Sequence, residues 1–288
     1  IMKVIVTGGN GYIASLTKLL NPQIEWVSLD RAELDLSNPE KVREYFEAAE
    51  FDAVFHTGAM AQTADCENYP ELTHRINVES AIEIAKACEK KNARYVFIST
   101  EQVFNGKTEA GPFKEDDEMA CVTKYGNHKI ECEEYITKNV KDYVILRFSW
   151  MMGLSYPGIK TSPNIIDNVI NAICKHKPTK FTVNEVRGMT YAKHLAENFV
   201  KILELPVGIY HFSNVNNNNT YESAKIVARK LGFSEELIEQ YILPNHERYA
   251  DRFRDYRLDN SKITSCGISL GTFEEDVEEC LRDFGYIR

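Results

Sequence analysis

The sequence predicts an α/β fold in which a parallel sheet carries helices on both faces and a smaller C-terminal α/β lobe follows. Short apolar, β-branched runs alternate with amphipathic helical segments through the first half of the chain. A glycine-rich turn directly follows the first of these runs, as it does in sheets that bind dinucleotides. Of the 288 residues, 43% are hydrophobic, which is enough to bury a large core.

The first half of the chain carries the regular part of this alternation. Helical crossovers between parallel strands have one handedness, and the order of the elements predicts a doubly wound sheet. Residues 1–150 are expected to form a dinucleotide-binding domain. The predicted strands cover 3–7, 24–29, 52–56, 94–99 and 143–146, and the predicted helices cover 11–20, 70–91 and 124–138, with another beginning at 38.

The alternation loosens in the second half of the chain. Residues 151–288 are expected to form mainly a substrate-binding lobe, with some segments returning to the sheet. A polar, asparagine-rich tract at 214–220 predicts a loop. The predicted helices there cover 164–176, 191–203 and 221–231, and the predicted strands cover 180–183 and 207–212.

Composition excludes several classes of function. The net charge of −9 argues against nucleic acid as the main partner. No apolar run approaches the roughly 18 to 20 residues of a membrane span, and the chain enters a strand pattern at once, so we expect a cytoplasmic protein without a signal peptide. The seven cysteines are scattered and form no CxxC pair, which predicts reduced thiols and no metal site.

The glycine turn predicts a dinucleotide-binding site. Gly8, Gly11 and Ala14 follow the first strand in a GxxGxxA spacing that opens a helix. Glycines let a pyrophosphate approach the backbone, and the helix N-terminus offers N–H groups and a positive dipole end. A plain tight turn is the alternative interpretation of this motif.

The second strand ends at Asp30, a position where an acid can bind the adenosine ribose. Arg31 follows and could bind a 2′-phosphate. The sequence therefore leaves both NAD and NADP open as the cofactor. Asp35 and Leu36 are predicted either to line the adenine site or, in the case of Asp35, to cap the next helix. The expected cofactor-binding positions are Gly8, Asn10, Gly11, Tyr12, Ile13, Asp30, Arg31, Asp35, Leu36, Gly58, Ala59 and Lys129.

Three residues predict carbonyl chemistry. Tyr125 and Lys129 lie one turn apart on a predicted helix, so we expect the lysine ammonium to lower the pKa of the phenol from about 10. Thr100 ends the fourth strand, where ligands bind in open α/β sheets, and its hydroxyl can polarise a carbonyl. His128 is expected to lie on the helix surface or line the site without acting as a base.

These motifs resemble the extended short-chain dehydrogenase/reductase superfamily, and within it the dTDP-4-dehydrorhamnose reductase family. The resemblance implies a Rossmann-type fold and NAD(P)H-dependent reduction of the 4-keto group of a nucleotide-linked deoxy sugar, with Thr100, Tyr125 and Lys129 as catalytic residues. The segments that carry it are TGGNGYIA at 7–14, STEQVFNG at 99–106, YGNHK at 125–129, LRFSW at 146–150 and RLD at 257–259.

Departures from the family pattern fall on the substrate side. Glu101 and Gln102 stand where the family usually has Asp-Tyr, and Arg187 lies in a segment that usually reads DQxGxPT. With Trp150, these residues are expected to contact the substrate, and the changes predict a sugar other than the usual one. The expected partner is a small nucleotide sugar, with no nucleic acid or membrane, and a homodimer is an oligomeric state that the sequence leaves open.

Two alternative functions stay open at this point. A sugar-nucleotide epimerase or dehydratase of the same superfamily would regenerate its cofactor, and Thr100 with Glu101 offers an acid/base pair for it. A non-catalytic NAD(P)-binding regulatory subunit is compatible with the altered substrate segments. The intact Thr100, Tyr125 and Lys129 argue against it.

Overall fold

The computed structural model describes residues 1–288, and it contains twelve strands. Most are short, apolar and buried, as expected for a sheet covered on both faces. The strands are β1 Lys3–Thr7, β2 Glu25–Leu29, β3 Ala53–His56, β4 Arg94–Thr100, β5 Tyr143–Phe148, β6 Trp150–Met152, β7 Thr179–Thr182, β8 Glu185–Val186, β9 Met189–Tyr191, β10 Gly208–Phe212, β11 Ile242–Asn245 and β12 Arg254–Asp255.

The central sheet has six strands in the order β2-β1-β3-β4-β5-β10. Strands β1 to β5 pair in parallel, and the register places Thr7 beside His56 and Thr100 beside Phe148. The strand order reverses between β1 and β3, and ligands bind outside the carboxyl ends of the strands at such a reversal. The predicted fold class, a doubly wound parallel sheet with a smaller α/β lobe, is confirmed.

Thirteen α-helices connect and cover the strands. The helix predicted over 70–91 is not continuous, because a π-helix at Arg75–Glu79 interrupts it; the helix predicted over 191–203 is also two short helices. A short 3₁₀ helix covers Glu101–Phe104. The helices are α1 Tyr12–Leu20, α2 Pro39–Ala48, α3 Thr63–Asn68, α4 Pro70–His74, α5 Ser80–Lys91, α6 Lys124–Asn139, α7 Ile165–Cys174, α8 Lys193–Glu197, α9 Phe199–Leu203, α10 Thr220–Lys230, α11 Glu235–Tyr241, α12 Ser261–Ser265 and α13 Phe273–Asp283. None of them has the length and apolar character needed to cross a membrane.

The chain divides into two compact units, each with its own core. The first comprises residues 1–107, 117–148 and 195–210, and its core includes Phe46, Val54 and Phe97. The second comprises 108–116, 149–194 and 211–288, and its core includes Val169, Tyr191 and Phe273. The assignment of cofactor and substrate binding to parts divided at residue 150 stays a prediction.

Candidate active site

The glycine turn between β1 and α1 has no room for a side chain at Gly8 or Gly9. Gly8 has a φ of +62°, and a Cβ there would lie 2.9 Å from Thr57 Oγ1 and 3.0 Å from Gly58 N. A Cβ at Gly9 would lie 2.1 Å from Ser28 Oγ. At the helix start, Gly11 caps α1 without a side-chain hydrogen bond. The turn therefore presents bare backbone at a helix N-terminus, which fits a pyrophosphate.

A cavity of about 230 Å³ lies beside this turn in the first unit. It brings together seven of the predicted cofactor positions, Gly8, Asp30, Arg31, Asp35, Leu36, Gly58 and Ala59, and it is completed by Thr7, Leu29, Leu34, Met60 and Ile76.

The other predicted cofactor positions, Asn10, Gly11, Tyr12, Ile13 and Lys129, do not line this cavity. Met60 and Ile76 are lining residues that the sequence analysis missed. Both are apolar residues outside any recognised motif, so only the packing of the loop after β3 against the π-helix identifies them.

Asp30 is held by a local network at the end of β2. Its Oδ2 accepts a hydrogen bond of 2.8 Å from Asn10 Nδ2, and its Oδ1 accepts from the Ala32 and Glu33 amides at 2.8 and 3.1 Å. Hydrogen bonds with Glu33 are the main reason that the pKa of Asp30 lies below its usual value. The carboxylate therefore stays charged at the edge of the cavity, next to the exposed Arg31.

Asp35 forms a local turn and does not cap α2. Its Oδ1 accepts a hydrogen bond of 2.9 Å from the Ser37 amide. The cap of α2 is Asn38, whose Oδ1 accepts from the Lys41 amide at 3.2 Å. The alternative prediction of Asp35 as the helix cap was wrong, because the chain makes a turn of its own before α2 begins.

A buried threonine–histidine pair supports the loop after β3. Thr7 Oγ1 accepts hydrogen bonds of 3.1 Å from both the Thr57 and Gly58 amides and lies 2.7 Å from His56 Nδ1. Since the hydroxyl oxygen accepts twice, its proton is donated to His56 Nδ1. Burial, assisted by the charge of Lys129, lowers the pKa of His56 to about 3, so its ring is neutral. Sequence reasoning missed this pair, whose residues end two neighbouring strands.

Tyr125 lies in the first turn of α6, which packs closely on the 3₁₀ helix after β4. A Cβ at Gly126 would lie 2.9 Å from Gln102 O and 2.2 Å from Cys121 Sγ, so the glycine permits this approach. Thr123 caps α6 by accepting a hydrogen bond of 3.4 Å from the Gly126 amide. The packing places Tyr125 near the carboxyl end of β4.

Lys129 is buried between α6 and the sheet, with 4% of its surface exposed. Its Nζ donates a hydrogen bond of 2.8 Å to Ile98 O and lies 4.7 Å from the Phe97 ring centroid and 5.8 Å from that of Tyr125. Burial lowers the pKa of Lys129. The ammonium is thus fixed on the sheet side of Tyr125, as the one-turn spacing of the two residues predicted.

The expected lowering of the Tyr125 pKa was wrong for this structure. Burial is the main cause of a pKa well above the usual value for the phenol, and the neighbouring Glu101 and Cys66 raise it further. These effects outweigh the ammonium of Lys129, which faces the ring and bonds to a carbonyl oxygen. Tyr125 is therefore protonated at neutral pH, which is the form that a proton donor needs.

Thr100 and Glu101 form a hydrogen-bonded pair at the end of β4. Thr100 Oγ1 donates to Glu101 Oε2 at 3.3 Å and accepts from the Gln102 amide at 3.2 Å. Gln102 Nε2 in turn donates to Glu101 Oε1 at 3.2 Å. Glu101 is buried, so its contacts with Thr100 and Gln102 fix the carboxylate beside the predicted catalytic hydroxyl.

A buried ion pair lies directly behind this strand end. Arg147 donates from Nε to Glu133 Oε1 at 3.0 Å and from a terminal nitrogen to Oε2 at 2.7 Å, and both side chains are 1% exposed. Ser99 Oγ donates to Glu133 Oε1 at 2.5 Å. This network ties α6 to β4 and β5. Arg147 belongs to the quoted motif LRFSW, but its acidic partner gave no signal in the sequence.

The second unit holds the two remaining predicted substrate residues. The Arg187 guanidinium carbon lies 3.9 Å from the Trp150 ring centroid and 4.5 Å from that of Tyr256. Arg187 is 3% exposed and donates to Glu185 at 2.7 Å, and Glu185 also accepts from Thr220 at 3.1 Å. The arginine charge is therefore neutralised internally, and the guanidinium supports the indole ring.

Trp150 is 43% exposed and lines a cavity of about 400 Å³ within the second unit. Glu185 also lines this cavity, whereas Arg187 does not. Its other lining residues are Met151, Met152, Pro163, Asn164, Ile165, Asn168, Thr179, Lys180, Phe181, Thr182, Met189, Thr220, Asn245 and Arg248.

The chain is similar to several known proteins over most of its length. It is 30% identical over 80% of both chains to the spore coat polysaccharide biosynthesis protein SpsK of Bacillus subtilis, and 25% identical to the dTDP-4-dehydrorhamnose reductase of Aggregatibacter actinomycetemcomitans over 91% of this chain and 92% of that one. The crystal structure of dTDP-4-dehydrorhamnose reductase from Bacillus anthracis in complex with NADP has the same fold, with a TM-score of 0.85, 24% identity and 98% coverage of both chains. The RmlD substrate binding domain family matches residues 2–286. Because this match covers nearly the whole chain, the protein belongs to the RmlD substrate binding domain family.

Proposed function

We propose that the protein is an oxidoreductase that uses NADH or NADPH to reduce the 4-keto group of a nucleotide-linked deoxy sugar. The observation that carries this proposal is the arrangement at the carboxyl end of β4, where Tyr125, the buried Lys129 and the Thr100–Glu101 pair lie on neighbouring elements. The reductase named among the relatives acts on a sugar of this class, and family membership supports the same chemistry here.

The first unit would hold the cofactor. The backbone of Gly8 and Gly11 would receive the pyrophosphate, and Asp30 and Arg31 would face the adenosine ribose at the cavity edge. Leu36 would contact the adenine. When bound, the nicotinamide supplies a hydride to the carbonyl carbon.

The proton chemistry belongs to three side chains. The Thr100 hydroxyl would donate a hydrogen bond to the carbonyl oxygen, and the Tyr125 hydroxyl would transfer its proton to that oxygen as the C–O double bond becomes single. Lys129 would stabilise the phenolate that remains until solvent returns the proton. The raised pKa of Tyr125 keeps the proton on the phenol until negative charge develops on the substrate oxygen.

In the first unit, Glu101 and Gln102 are proposed to contact the substrate, because they adjoin Thr100. In the second unit, Trp150 is proposed as a substrate contact on its own evidence, because its exposed face offers an apolar surface to a sugar ring. Arg187 would act by fixing Trp150, since its guanidinium stacks on the indole and its charge is already paired.

A panel of nucleotide-linked 4-keto sugars, each tested with NADH and with NADPH, would test the proposal. We expect loss of reduced nicotinamide together with formation of the corresponding alcohol for at least one sugar. Product without net loss of reduced cofactor would contradict reduction and point to an epimerase or dehydratase. Cofactor binding without any product across the panel would contradict an enzymatic role and point to a regulatory subunit.

A further inference from the structure

Asn77 clamps the backbone of the loop that follows β3. Its Oδ1 accepts a hydrogen bond of 2.8 Å from Met60 N, and its Nδ2 donates one of 2.9 Å to Met60 O. Asn77 sits in the π-helix Arg75–Glu79 and is buried. A π-helical turn of this kind commonly marks a functional site. The two bonds to one residue fix which end of the Asn77 amide is oxygen and which is nitrogen.

The orientation of Asn77 decides the protonation of His128. Asn77 Nδ2 lies 3.2 Å from His128 Nδ1, and because Nδ2 is a donor, Nδ1 must accept. A ring that accepts at Nδ1 is neutral and carries its hydrogen on Nε2. Protonation of Nδ1 would set two N–H donors against each other and break this bond. The bond is buried, since His128 is 6% and Asn77 1% exposed.

The clamped loop is part of the cavity beside the glycine turn. Met60 lines that cavity together with Gly58 and Ala59. Gly58 N would lie 3.0 Å from a Cβ at Gly8, so the loop and the glycine turn are in direct van der Waals proximity. A change in the position of Met60 would therefore alter the contacts of any ligand bound in the cavity.

We propose that His128 is a positioning residue for the dinucleotide. Its neutral ring accepts from the Asn77 amide and holds it in place, and the same amide binds Met60 in the loop wall of the cavity. The inference rests on the proposed function, because it takes the occupant of the cavity to be a nicotinamide dinucleotide. The helix that carries Tyr125 and Lys129 thereby also sets the shape of the cofactor site through the residue between them.

The groups around His128 determine the pH at which its ring becomes protonated. Burial is the main cause that lowers the pKa of His128 below its ordinary value, His74 lowers it further, and Glu131 opposes them. The His74 and His128 ring centroids are 5.6 Å apart. His128 lines a surface depression together with Pro70, Glu71, His74, Arg75, Glu79, Lys124, Asn127 and Glu131, and the buried Lys129 follows on the same helix. The neutral, orienting form of His128 therefore prevails at neutral pH and is lost only under acidic conditions.

Calorimetric titration with NAD⁺ or NADP⁺ from pH 8 down to the lowest pH at which circular dichroism shows the protein folded tests the proposal. His128→Asn places a carbonyl oxygen near the position of Nδ1 and does not titrate, whereas His128→Leu removes the acceptor. At pH 8 we expect His128→Asn to bind as the unmodified protein does and His128→Leu to bind about three- to tenfold more weakly, as for loss of one buried hydrogen bond. The unmodified protein should lose affinity relative to His128→Asn at the acid end of this range, and comparing the two cancels any titration of the ligand.

His74→Asn is the matched control, because it removes the neighbouring imidazole but no contact to Asn77. It should keep the loss of affinity toward acid, with the loss beginning at a higher pH, because His74 no longer lowers the pKa of His128. The proposal is overturned if His128→Asn shows the same loss toward acid as the unmodified protein, or if folded His128→Leu binds at pH 8 with unchanged affinity. Failure of the unmodified protein to bind either dinucleotide would instead refute the proposed function, and with it the role of His128.

Discussion

Replacing Glu133 by alanine should destabilise the protein more than any single surface change. Glu133 accepts two hydrogen bonds from Arg147, at 3.0 and 2.7 Å, and one from Ser99 at 2.5 Å. Glu133 and Arg147 are each 1% exposed. Glu133→Ala would leave the guanidinium charge buried without its carboxylate.

Removing one partner of a buried ion pair costs about 3–5 kcal/mol of folding free energy, because the remaining charge stays desolvated. At roughly 2–4 °C per kcal/mol for a chain of this size, the melting temperature should fall by about 6–20 °C. The additional substitution Arg147→Met removes the orphaned charge, so the double variant should recover a large part of that loss.

Urea unfolding followed by circular dichroism measures these free energies, with Glu134→Ala as the control. Glu134 is the next residue on α6 and is exposed, so its loss should change stability by less than about 0.5 kcal/mol. The reasoning is refuted if Glu133→Ala costs under about 1 kcal/mol, or if the double variant is as unstable as the sum of the two single changes.

Two further predictions concern the glycine turn and the buried histidine. Gly8→Ala should weaken dinucleotide binding, measured by calorimetry, and cost about 1–2 kcal/mol of folding free energy. The reason is that the φ of +62° disfavours a Cβ, and Gly58 N would lie 3.0 Å from that Cβ. Unaltered affinity would contradict the close approach of the dinucleotide to the turn. The pKa of His56 is about 3 when folded and about 6.5 when unfolded, so the unfolded chain binds more protons between these values. Stability should therefore fall as the pH drops below 6.5, by up to about 1.4 kcal/mol per pH unit from this group. Urea midpoints of His56→Asn should show a shallower decline, and an identical slope would exclude His56 as the cause.

The sequence predicted those parts of the molecule that depend on local pattern. The apolar run at Lys3–Thr7 and the glycines after it specify a strand and a tight turn through their own chemistry, and the structure forms both. Seven of the predicted cofactor positions line the 230 Å³ cavity together, because the carboxyl ends of parallel strands meet at one edge. Their contact with a cofactor stays a prediction.

What the sequence could not supply depends on partners distant along the chain. The clamp of Asn77 on Met60 joins residues 17 positions apart through a π-helix that has no periodic signature. Thr7 and His56 are 49 positions apart and meet only because β1 and β3 pair in register. The pKa of Tyr125 was predicted in the wrong direction, since spacing reveals a nearby ammonium but not the burial that opposes it.

The turnover of Tyr125→Phe on a reducible keto-sugar nucleotide, measured together with its affinity for the dinucleotide, tests the central claim most directly. Tyr135→Phe, which alters another tyrosine of the same helix, is the control. Turnover by Tyr125→Phe should fall by about 10²- to 10⁴-fold while the dinucleotide dissociation constant stays unchanged, because only the proton donor is removed. Turnover equal to that of the unmodified protein would show that the phenol does not deliver the proton.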